Sequence, residues 1–140
     1  MIKNGAPAPL LFAEEHALVV SYWDKDEPPY HPTTAPITLV RFHGPRWHQF
    51  GPPTEDAMEG HPLGLESRTI YEVRDSSLIR RLAAIEPAQF ENVNHYIITF
   101  QDSTLECVAA GFHRSIENIG WNEQYPLMLE ALAKRDEAAE

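Results

Sequence analysis

Histidine is the most suggestive chemical resource of this chain. Seven occur in 140 residues, and two of them, His43 and His48, bracket the segment HGPRWH. With Pro45-Arg46 at the centre of a type I turn, Gly44 faces Trp47 and His43 faces His48. Directly opposed strand residues hold their Cβ atoms about 4.5–5.5 Å apart, close enough for two imidazoles to share a metal ion. A third ligand would come from His61, or from Glu55, Asp56 or Glu59 in the following segment. Two or three histidines with a carboxylate is a donor set for zinc or non-haem iron. The spacing matches neither HxH nor HExxH. The plainer reading, two exposed hairpin histidines beside Trp47, is therefore preferred.

Two further groupings carry chemistry. Gly51–Gly64 (GPPTEDAMEGHPLG) holds Glu55, Asp56, Glu59 and His61, with Glu66 just beyond and no Lys or Arg among them. Its glycines and prolines suit a shaped loop: a lid, a cation site, a partner surface, or an ordered connection over one end of a sheet. The hairpin residues His95, Thr99 and Glu106 share the other grouping. In a fold about Asp102-Ser103, Thr99 faces Glu106, and a His beside a Glu is suited to acid–base work. Other chemistry is missing from the pattern. Ser76, Ser77 and Ser103 read as caps and turn residues outside any GxSxG context, and no glycine-rich phosphate loop occurs.

These residues need elements to hold them. HYIITFQDSTLECVAA (95–110) reads as a β-hairpin in which Tyr96, Ile98, Phe100, Leu105, Cys107 and Ala109 share one face. The opposite face is mixed, with Ile97 and Val108 among polar residues. Strands are also predicted over Ala17–Trp23, Ile37–His43, Arg46–Phe50 and Thr69–Arg74. A helix over 75–86, capped by Asp75 or Ser76 and stopped at Pro87, places Leu78, Ile79, Leu82 and Ile85 on one face. A second helix over about 122–138 places Tyr125, Leu129, Leu132 and Ala133 together. Residues 1–16 read as an arm, and the last residues as a fraying tail.

Composition bounds the function classes. The hydrophobic share of 43% and charged share of 23% suit one soluble domain over residues 1–140. No apolar run approaches the roughly 20 residues that span a bilayer, and Glu14 and Glu15 interrupt any leader-like patch. The single cysteine, Cys107, has no internal disulfide partner, which points to a reducing cytoplasm. The formal charge of −10 argues against nucleic-acid and membrane binding and suits a basic protein partner or a small molecule.

YEVRDSSLIRRL and HYIITFQDSTLECVA, with GHPLGLESRTIYEV before them, resemble the pattern of a family of small uncharacterised bacterial proteins. The resemblance covers roughly residues 60–110. It brings no activity, cofactor, partner or site residue, and it implies that this stretch is one structural unit of a bacterial cytoplasmic protein.

The expected fold is α+β. A mostly antiparallel sheet of about five or six strands is covered on one side by helices near 76–86 and 122–138. The alternative is a small, partly open barrel, distinguished by whether strand 17–23 pairs with the hairpin. The expected function is non-enzymatic binding or interaction, with no cofactor and a ligand surface around Trp47, Glu55, Asp56 and Glu59. The alternative is a metal-binding protein or metal-dependent enzyme using His43, His48 and His61 with one divalent ion. An exposed sheet edge, with Ile97 and Val108 on the second hairpin face, leads to the expectation of a two-fold homodimer.

Overall fold

The computed structural model describes residues 9–23, 35–51, 69–100, 103–119 and 123–134. The architecture is α+β, as expected. Among the described residues there are eight strands in two four-stranded antiparallel sheets, rather than five or six strands in one, and neither sheet closes into a barrel. The described residues form two compact units, one drawn from 1–43 and 112–140 and the other from 44–111.

The first unit contains β1 (Leu10–Glu14), β2 (Ala17–Trp23), β3 (Ala35–His43), β8 (Gly111–Ile119) and helix α2 (Gln124–Ala133), with strand order β1-β2-β3-β8. Strand β1 corrects the arm reading over residues 10–14, while residues 1–8 lie outside the described residues. Glu14 pairs with Ala17, so the polar pair Glu15-His16 is a two-residue turn. Leu10, Leu11 and Phe12 then lie against Ser21, Val20 and Val19. β2 pairs with β1 and β3, not with the 95–110 hairpin. Leu18–Tyr22 and Ile37–Val40 are buried on both faces, which is why ALVV and ITLV read as continuous apolar runs.

Helix α2 packs mainly on β2. Its buried residues are Gln124, Met128 and Ala131, at i, i+4 and i+7, and the last two meet Val19 and Leu39. The expected face is therefore corrected: Tyr125 is 50% and Leu129 57% exposed. A buried glutamine is hidden from hydropathy patterning. It is tolerated because the Ser21 hydroxyl donates to Gln124 Oε1 at 3.1 Å. Pro126 sits in the first turn, where its missing N–H breaks no helical bond.

The second unit contains β4 (Trp47–Gly51), β5 (Ile70–Val73), α1 (Ser77–Ile85), a 3-10 turn (Pro87–Phe90), β6 (Asn94–Thr99) and β7 (Thr104–Ala109), with strand order β4-β7-β6-β5. The β6–β7 hairpin forms, two residues out of the expected register. Tyr96 pairs with Cys107 and Ile98 with Leu105, and the Phe100 N–H donates to the Ser103 carbonyl at 2.7 Å. A slip of two preserves the faces, so Tyr96, Ile98, Phe100, Leu105 and Cys107 are buried as expected. The second face is not the wet, mixed one expected. His95, Ile97, Thr99, Thr104 and Val108 are buried as well, and α1 packs against β6. Ile85, expected on the packed face of α1, closes the helix exposed to solvent.

Burial pushes the Cys107 thiol well above its ordinary range, and the neighbouring Glu106 carboxylate adds to the rise. The folded chain therefore keeps this proton where the unfolded chain loses it. Stability from this group is full below the ordinary value of 9.0 and falls as pH rises past it. Native protein is expected to react with iodoacetamide at pH 8 at least about a hundredfold more slowly than protein in 8 M urea. Comparable rates in the two states would show that Cys107 is accessible.

Candidate functional site

The proposed histidine pair depends on a hairpin that does not form. β3 and β4 belong to different sheets, so His43 and His48 are not cross-strand neighbours. Gly44, at φ +56°, turns the chain in the left-handed region that favours glycine. The Arg46 N–H then donates to the Val108 carbonyl at 2.8 Å, committing the next residues to β7. Trp47 pairs with Val108 and is half-buried, while His48 lies exposed opposite Cys107. Glu55, Asp56, Glu59 and His61 lie outside the described residues. Among the described residues no three His, Cys, Asp or Glu side chains stand close enough to hold a metal ion.

A different constellation is built around His95. Asp75 turns the chain at φ +52°, which makes Ser76 the N-cap of α1: its Oγ accepts the Ile79 N–H at 3.1 Å. The same hydroxyl lies 2.7 Å from His95 Nδ1. On the far side of the ring, His95 Nε2 lies 2.5 Å from Glu106 Oε1. Only one assignment satisfies every partner with a neutral ring: Nε2–H donates to Glu106, and Nδ1 accepts from the Ser76 hydroxyl. His95 pairs with Val108, and Ile97 with Glu106, so His95 and Glu106 meet across the strand diagonal. Thr99, grouped with them by the sequence, pairs with Thr104 instead.

Hydroxyl, imidazole and carboxylate stand here in the order of a hydrolytic triad. Their surroundings suit a different task. Ser76 and His95 are buried, and the hydroxyl is held from two sides, by the ring and by the helix N-terminus. Only Glu106 reaches solvent in part. The arrangement latches the start of α1 to β6 and β7, with the Ser76 hydroxyl and both ring nitrogens of His95 paired. The sequence shows a cap and a His–Glu pair separately. Nothing in its spacing joins residue 76 to residue 95.

The first unit holds a cavity of about 310 Å³, near the lower bound of small-molecule sites. Leu39, Leu127 and Ala131 supply apolar wall, and Arg41, His43, His113, Glu117, Glu130 and Lys134 supply charge and hydrogen-bonding groups. Arg41 organises it. Its Nε donates to the Ala131 carbonyl at 3.0 Å and its Nη2 to the Lys134 carbonyl at 2.5 Å. A guanidinium from β3 thus caps the C-terminal end of α2, whose own last turn carries no basic residue. Arg41 Nη1 lies 3.1 Å from His43 Nδ1. The ring nitrogen must accept there, so a neutral His43 carries its proton on Nε2. A second concavity, lined by Glu14, His16 and Leu132 among others, shares Arg41 and Lys134 with the first. Of the described histidines singled out from the sequence, only His43 lies here. The rest come together through packing of α2 on the sheet, which no local spacing reports.

Comparisons with protein-family models, with curated proteins and with solved structures found no match.

Proposed function

We propose that this chain is a non-enzymatic, bacterial cytoplasmic binding protein whose ligand is a small molecule bearing an anionic group. The observation that carries this reading is the placing of Arg41 and Lys134 together at one cavity. The whole chain has 11 basic residues against 21 acidic ones. Arg41 and Lys134 can pair with an anionic group, while Glu117 and Glu130 in the same lining leave the cavity without a net positive charge and suit a ligand that also carries donors. Glu117, Glu130 and the two imidazoles add acceptors and donors for the rest of a polar ligand. A cavity this small fits a metabolite, whereas a basic protein partner would need a broad acidic face. No described helix is long and apolar enough to cross a membrane.

The test is thermal unfolding against a panel of amino acids, dicarboxylates and phosphomonoesters at millimolar concentration. A ligand at a hundred times its Kd stabilises by about 2.7 kcal/mol, which raises the Tm by several degrees for a chain of this length. The shift should vanish in Lys134→Ala, a change that leaves intact the backbone carbonyl holding Arg41. A panel without any shift, or a shift unchanged in Lys134→Ala, would refute the assignment.

A further inference from the structure

Ile97 and Val108 gave one reason to expect self-association, and both are buried, so they give none. The open edges of the two sheets remain. β1 has five residues and follows Pro9, which lacks an N–H. β4 has five and β5 four. β8 is different. It is the outer strand of its sheet among the described residues, it runs for nine residues, and it contains neither proline nor lysine. Phe112 and Ile116 lie on one of its faces, 39% and 55% exposed. Long edges of this kind are the ones that pair with another chain.

We propose that β8 pairs antiparallel with β8 of a second copy of this chain, about a two-fold axis at Ser115. Ser115 is the midpoint of Gly111–Ile119, so this register pairs the full strand. It sets His113 opposite the partner's Glu117, twice by symmetry, and Arg114 opposite the partner's Ile116. The Arg114 stem covers apolar surface there while its charged head stays in water. Ile116 meets the partner's Phe112 and the partner's Ile116 on the diagonals, which gathers the exposed apolar groups at the axis. Neighbouring registers are worse. A centre at Arg114 sets two guanidinium groups directly opposite each other, and a centre at Ile116 leaves pairs unmade at the strand end. Because side chains must share a face, registers change in steps that keep a single residue on the axis.

The proposal goes beyond the ligand reading and stands without it. It also bears on the cavity, because His113, Ser115 and Glu117 line it. In the dimer the partner's Glu117 joins His113 at its rim.

Sedimentation velocity at micromolar concentration should give twice the chain mass of 15.9 kDa. Ile116→Lys, at an exposed position that leaves the core untouched, sets a second cation opposite the partner's Arg114 and should return the mass to a single chain. Ser115→Cys should crosslink under mild oxidation, since directly opposed Cα atoms lie about 4.5–5.5 Å apart. Glu117→Cys should not, because its two copies would be about 13 Å apart. A monomeric wild-type chain at 100 μM would overturn the proposal. A dimer that survives Ile116→Lys, or that crosslinks through Glu117→Cys and not through Ser115→Cys, would also overturn it.

Discussion

Replacing Phe100 by alanine is expected to lower the free energy of unfolding by about 3–5 kcal/mol. Phe100 is fully buried at the end of β6, and its N–H closes the hairpin on the Ser103 carbonyl. Truncation removes a ring's worth of buried apolar surface and leaves a cavity that strand backbones on both sides cannot collapse into. Urea titration should show a lower midpoint with an unchanged slope. Ile85→Ala is the control: the residue is large and apolar, and it stands in solvent at the end of α1. Its effect should stay within about 0.5 kcal/mol. A Phe100→Ala loss below about 1 kcal/mol would mean that the hairpin face is not core.

Ser76→Ala should cost about 2–4 kcal/mol, more than a surface helix cap. The lost N-cap accounts for about 0.5–2 kcal/mol. The His95 Nδ1 left buried without its donor adds about 1–3 kcal/mol. The two residues act as one unit, so a double-mutant cycle with His95→Ala should return a coupling of about 0.5–3 kcal/mol. A Ser76→Ala cost no greater than the cap alone, with no coupling, would separate the two hydrogen bonds and dissolve the latch. The latch also predicts that a fluorophosphonate probe does not label the native protein. Phosphonylation at Ser76 that disappears in His95→Ala would make the constellation a working nucleophile and overturn the binding reading.

The sequence by itself determined those features that depend on neighbours along the chain. The hairpin faces of 95–110 follow from the two-residue alternation, and they survive a wrong register because slips of two preserve them. The cap at Ser76 and the helix it starts follow from side-chain chemistry within one turn. The runs ALVV and ITLV announce strands because an apolar run of that length with β-branched residues suits little else. Features made by distant segments were decided by the tertiary structure. The HGPRWH segment has every local mark of a tight hairpin. Its two strands go to different sheets because Arg46 and Trp47 find hydrogen-bond partners on β7, more than 60 residues later. The packed face of α2 was hidden because Gln124 is buried against Ser21, a partner 103 residues away that satisfies its amide. The Ser76–His95–Glu106 latch and the Arg41 cavity have the same origin. Hydrogen bonds and burial reward whichever groups are brought close in space, and periodicity reports only what lies within a few residues along one element.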